Sequence, residues 1–150
     1  MKTYYILLSL LFFVACSTDP NKEDTTEEST TTQSLTEDEV AADLEGLTLN
    51  NGQKWLADRS TDEGMRTVQQ MLDNFDGEDT RKLGSDIKEK LNEVINACDF
   101  KGEDHNQYHI ILHAMLKETK KLKSGASADL TKMKAYINAY YEHFEVGELE

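Results

Sequence analysis

The sequence predicts an all-α fold: an antiparallel, up-down-up-down four-helix bundle behind a signal peptide and a disordered acidic tether. Three observations carry that reading. Four segments between residues 60 and 146 repeat apolar residues at helical spacing. Short connections separate them, which forces consecutive helices to run antiparallel. The only proline, Pro20, lies far outside these segments, so no helix interior is interrupted.

Residues 1–15 precede the folded part. Lys2 supplies a positive start, and Tyr4 to Ala15 form an apolar run broken only by Ser9. The run is shorter than the ~18–20 residues a spanning helix needs, and it has the layout of a signal peptide. Residues 17–34 contain no apolar side chain large enough to build a core. Residues 16–45 therefore read as a linker, with an r.m.s. span of roughly 30 Å if it behaves as a flexible coil. Inside it, Thr36-Glu-Asp-Glu39 is a capping-box pattern followed by Val40, Ala41 and Leu44, which predicts a short helix over 36–45 stopped by Gly46.

The domain proper spans 46–150. Leu47 to Trp55 alternates loosely around Asn51-Gly52, a turn signal. It reads as an extended arm laying Trp55 across the domain's end, with flanks too short for an independent hairpin. The first long helix starts at a Ser60/Thr61 cap and runs to about Phe75, with Met65, Val68, Met71, Leu72 and Phe75 on one side. Asp76-Gly77-Glu78 breaks it. The second runs from about Asp79 to Cys98, and Leu83, Ile87, Leu91, Val94 and Cys98 share a face, which points the thiol inward. The third spans about Glu103 to Lys123, burying Tyr108, Ile111, Leu112, Met115, Leu116 and Leu122, and ends at Ser124-Gly125. The fourth begins at a Ser127 cap and reaches about Val146, presenting Leu130, Met133, Ile137, Tyr140, Tyr141 and Phe144. No heptad register is long enough for a free coiled coil.

The formal charge of −13 is unevenly spread. Residues 17–45 carry ten acids against one lysine, a net −9, whereas 46–150 hold nineteen acids against fourteen bases, a net −5. No basic face stands out and the net field repels phosphate, so nucleic acid is an unsuitable partner. The charge favours solubility.

The leader ends in Phe13-Val-Ala-Cys16. A small residue before a cysteine at the end of an apolar run resembles the lipobox of bacterial lipoproteins, whose leaders are removed by signal peptidase II. Ala15 takes the −1 position and Val14 the −2, while Phe13 stands where that family usually has Leu. The resemblance covers the first sixteen residues. It implies cleavage before Cys16, lipidation of its thiol with palmitate among the chains, and a cell-envelope location with the bilayer as partner. Several acyl chains on one residue hold a protein stably, where a single chain is marginal. Asp19, Glu23 and Asp24 also resemble signals that send some lipoproteins to the outer surface. The stretches Cys98-Asp-Phe-Lys-Gly-Glu-Asp-His105 and Leu49-Asn-Asn-Gly52-Gln-Lys-Trp55 are similar to small envelope lipoproteins without an assigned activity.

If Cys16 is acylated, Cys98 has no intramolecular partner. In an oxidising envelope such a cysteine is buried, paired between molecules, or masked by a ligand. His105, His109 and His113 follow it at i, i+4 and i+8, forming one helical stripe. Antiparallel levels mirror about the connecting turn, which places Cys98 near His105 and His143 near His109. A thiol and imidazoles at one corner suggest a transition metal, zinc or copper, ahead of calcium or magnesium. At ~1.5 Å rise per residue, His105 and His113 stand about 12 Å apart, too far to share one ion easily. The primary set is Cys98, His105 and His109, with His113 extending it or replacing His105. Water, Asp104, Glu103 or His143 can complete it. The helix N-terminus disfavours imidazolium, and a thiol acidified by the metal binds as thiolate.

The alternative is a metal-free helical module that docks a protein partner. In that reading Cys98 is a small core residue and the histidines are solvated flank positions. An enzyme is not expected. Cys98 with His105 lacks an orienting acid, the neighbours Asp104-His105 and Glu142-His143 do not face each other, and phosphate loops, dinucleotide fingerprints and Cys-x-x-Cys-His are absent from the sequence.

Overall fold

Asparate carboxylates, rather than hydroxyls, start three of the long helices in the computed structural model, which describes residues 37–126 and 128–147. The expected signal peptide, Cys16, the expected tether through residue 36 with Thr36, and the expected cap at Ser127 all lie outside the described residues. Within them the order is α1 (37–43), β1 (Trp55–Ala57), α2 (Arg59–Asp73), α3 (Thr80–Ala97), α4 (Glu103–Ser124), α5 (Leu130–His143) and β2 (Phe144–Val146). The described residues are mostly helical, with one small two-stranded sheet.

The cap of α2 is Asp58, earlier than the expected Ser60/Thr61. Its carboxylate accepts from Thr61 N at 2.7 Å and Thr61 Oγ1 at 3.0 Å, and the Ser60 hydroxyl also donates to it. A carboxylate accepts several donors at once and adds charge at the positive end of the helix, so it displaces the hydroxyls from the capping role. Asp79 caps α3 through Lys82 N at 2.9 Å, and Asp129 caps α5 through Thr131 N at 2.8 Å. Gly125, in the left-handed region, closes α4 as expected.

Each long helix packs on the next, and α5 also touches α2. Between them lie Met65, Val68 and Leu72 of α2, Leu83, Ile87, Leu91 and Val94 of α3, Tyr108, Ile111 and Met115 of α4, and Met133, Ile137 and Tyr140 of α5, all buried. Two glycines set how closely the helices approach. A Cβ on Gly64 would lie 2.0 Å from Val94 Cγ2, and one on Gly84 would lie 2.6 Å from Leu122 Cβ and 2.7 Å from Lys123 N. The first glycine brings α2 against the end of α3. The second brings the start of α3 against the end of α4, far from the α3–α4 connection.

The expected last turn of the fourth helix is a strand, which amends the all-α class. Phe144 turns extended (φ −127°, ψ 150°), and β2 pairs in parallel with β1, Trp55 opposite Phe144 and Ala57 opposite Val146. Phe144 is buried, stacked on Tyr140 at 5.3 Å and 6°. Aromatic and β-branched residues favour a pleated surface, and β1 supplies ladder partners that another helical turn would forgo. The arm behaves as expected at its turn: Asn51 (φ 52°) and Gly52 (φ 85°) sit between the bridged Asn50 and Gln53. Trp55 is half-buried and donates its indole N–H to Thr48 O. Among the described residues, no helix is long and apolar enough to cross a membrane.

Candidate functional site

Cys98 is the residue at which α3 stops. Its N–H still bonds to Val94 O at 2.8 Å, but its own backbone is extended (φ −62°, ψ 122°), so the chain leaves the helical path here. The thiol is half-buried, and it meets the first turn of α4: Cys98 Sγ lies 3.6 Å from His105 Nδ1. The Phe100 N–H and the Thr61 hydroxyl also bear on the sulfur electrostatically, the hydroxyl's one proton being donated to Asp58 Oδ2. Phe100 is buried and stands edge-on to His105 at 5.8 Å, forming one wall of the corner.

The stripe of imidazoles continues up α4. The His105 and His109 rings are 4.2 Å apart, centre to centre, and His109 and His113 are 5.6 Å apart. His105 and His109 are half-buried, whereas His113 is exposed. The structure therefore brings Cys98 to His105, with His109 stacked on His105 one turn along and His113 exposed beyond it. His143 is engaged elsewhere: its Nδ1–H donates to Ala139 O at 2.8 Å, and it lines a cleft with Val40 and Leu44. Glu103 accepts from Gln107 Nε2 at 2.9 Å and Asn106 Nδ2 at 3.1 Å, so its carboxylate is committed to the start of its own helix.

The electrostatics separate these groups. Burial works against the charge on Asp58, but the bonds from Ser60, Thr61 and the Asp99 N–H outweigh it and hold the carboxyl below its usual range. Burial first, and then the Asp58 charge, push the Cys98 thiol up. The protein's own groups thus favour the neutral thiol, so a thiolate here would have to come from an ion that displaces the proton. Burial, followed by the charges of His105 and His113, lowers His109 and keeps its ring neutral and able to coordinate.

A sulfur at ~2.3 Å and a nitrogen at ~2.0–2.1 Å on one tetrahedral ion stand about 3.5 Å apart. The observed 3.6 Å matches that spacing, and also that of an S–H···N hydrogen bond to the unprotonated Nδ1. Among the described residues, no three Cys, His, Asp or Glu side chains converge closely enough to hold an ion. The corner is a donor pair with a third donor one turn along the helix, not a closed cage. Its other members were not foreseen: Asp58, Thr61 and Phe100. Asp58 was detectable, since Asp58-Arg-Ser-Thr61 reads as a cap once the acid is preferred over the hydroxyls. No family model, curated protein or solved structure matches the chain.

Proposed function

We propose that the chain is a lipoprotein of the bacterial cell envelope, anchored through acylated Cys16, whose long helices form an antiparallel four-helix bundle. Its task is to bind a transition-metal ion, zinc or copper, at the α3–α4 corner for buffering, sensing or delivery. The anchor rests on the leader and its lipobox-like end. The bundle is supported by the contact of each long helix with the next and of α5 with α2. The metal reading rests on one observation: Cys98 Sγ and His105 Nδ1 are spaced as two ligands of one ion, with the neutral His109 ring stacked 4.2 Å from His105.

The chemistry follows from those residues. Cys98 gives up its proton to the medium and supplies a thiolate, His105 supplies Nδ1, and His109 turns inward as third ligand. A remaining position open to water or an incoming donor suits an ion that must be passed on, whereas a structural zinc site is closed by four protein ligands. Because the thiol must ionise, affinity falls as pH is lowered. The test is elemental analysis and metal titration of mature protein purified without a histidine tag. One equivalent bound, with release of protons, supports the reading.

The second reading is a metal-free docking module. It is favoured by the neutral thiol and by the fact that, among the described residues, no third side chain converges on the donor pair. No bound metal, and a melting temperature indifferent to added zinc or copper, would select it.

A further inference from the structure

Residues 37–47 lie on the domain as an added piece. The seven described residues of α1 are far too few to persist as a helix alone, so this stretch is helical because it is docked. Of its four carboxylates, Glu39 and Asp43 are four residues apart and share an edge. Asp43 Oδ1 meets Lys117 Nζ of α4 at 2.6 Å, and Asp43 Oδ2 accepts from Tyr136 Oη of α5 at 2.6 Å. Glu39 pairs with Lys132 of α5, whose side chain is only 8% exposed. Beside this polar edge, Val40, Leu44 and Leu47 rest against the core but are only partly buried.

The fit is incomplete in two respects. A cleft of about 380 Å³ stays open between Val40, Leu44 and Leu47 on one side and Ala135, Ala139 and His143 of α5 on the other. Glu118 of α4 is wholly buried; its Oε1 pairs with Lys121 at 2.6 Å, but its Oε2 has no hydrogen-bond partner. The charges of Glu39, Asp43 and Glu118 all bear on Lys132 and Tyr136, so this acceptor belongs to the same patch. The groove thus offers buried and half-exposed cations, a phenol donor and an apolar floor; α1 engages the cations and the phenol but leaves the cleft open and Glu118 Oε2 without a partner.

We propose that the α4–α5 groove is a docking site for an amphipathic helix of a partner protein, one bearing two carboxylates four residues apart beside aliphatic side chains, with α1 as its built-in stand-in. The complementarity is charge against charge: Lys117 and Lys132 in the groove, two carboxylates on the occupant. A tethered segment competes at an effective concentration in the millimolar range, so the partner must better the fit. It can do so by filling the cleft and by bringing a donor to Glu118 Oε2. The inference is independent of the metal reading.

The test uses full-length mature protein and, as probe, a capped peptide with the sequence of residues 37–47. Glu39→Gln with Asp43→Asn should unlatch α1, raising amide exchange in 37–47 at least tenfold while α3 is unchanged. Labelled by NMR, that variant should then show peptide-induced shifts at Tyr136 and Lys132. The wild type should need at least tenfold more peptide, because α1 already occupies the groove. Adding Lys117→Glu to the unlatched variant, at a half-exposed position that does not threaten folding, should weaken the peptide at least tenfold. Unchanged exchange in 37–47 would overturn the latch. Absence of shifts at millimolar peptide, or equal binding to the Lys117→Glu form, would overturn the groove. A dimer of the unlatched variant with 37–47 exchanged between chains would replace the partner protein with a second copy.

Discussion

Gly84→Ala is a small change with opposing consequences, and the structure decides which wins. On an exposed helix Ala is preferred over Gly by about 1 kcal/mol. Gly84 is not exposed: a Cβ there would sit 2.6 Å from Leu122 Cβ and 2.7 Å from Lys123 N. One of those atoms is backbone, so no side-chain rotation relieves it, and α3 and α4 must separate at this end. Overpacking of this kind costs about 1–3 kcal/mol, and the clash lies well inside van der Waals contact, so the upper half of that range applies. Subtracting the propensity gain leaves about 1–2 kcal/mol of destabilisation. For a domain of this size, that lowers Tm by roughly 4–15 °C. The assay is thermal unfolding by circular dichroism, with Ser85→Ala as control. Ser85 is exposed and its hydroxyl bonds only to Arg81 O among the bonds of its own turn, so Tm should stay within about 3 °C. A Tm for Gly84→Ala equal to or above the wild type would refute the close α3–α4 crossing.

Further outcomes follow from the corner and its electrostatics. Asp58→Asn keeps a competent cap but removes the charge that raises the Cys98 thiol, so thiol labelling at pH 7 should accelerate with little change in Tm; a slower rate would contradict the assignment. Asp58→Ala should instead cost about 1 kcal/mol, within the 0.5–2 kcal/mol range of lost caps, read as a lower urea midpoint. His109 has a folded-state value depressed below its ordinary 6.5, so the unfolded chain takes the proton more readily. Its contribution is present above about pH 6.5 and lost as pH falls through the lower folded value. In chelator-washed protein, Tm should therefore fall between pH 7.5 and 5.5, and His109→Asn should flatten that slope. A wild-type slope identical to the variant's would show that His109 is not responsible. Losses from Asp43 and Asp58, whose values are also depressed, come only below about pH 4.

Much of the helical framework was legible because periodicity reports burial directly. Leu83, Ile87, Leu91 and Val94 repeat on one face and are buried on it, and Gly125 ends α4 where a left-handed residue was anticipated. The meeting of Cys98 with His105 was legible for a related reason: a short connection leaves little freedom in how two levels align. What escaped detection depends on residues distant in sequence. Three residues of strand cannot be told from a last helical turn by pattern alone, and β2 exists because Trp55 to Ala57 lies beside it. Likewise Glu118 and Lys132 occupy positions that look solvent-facing, yet both are buried. Lys132 is partnered by Glu39, which belongs to a segment read as the end of a tether. The turn of Cys98 out of the helical path was hidden too, because its spacing continued the face of α3 by one more step.

The proposed site requires the sulfur of Cys98 and the nitrogen of His105 to serve as ligands of one ion. The most direct measurement is the rate at which a thiol reagent modifies Cys98 in mature protein, with and without one equivalent of zinc or copper(I). Metal should slow modification at least tenfold, His105→Ala should abolish the protection, and His109→Ala should weaken it. Equal rates with and without metal, in protein whose Tm shows it to be folded, would contradict the proposed site.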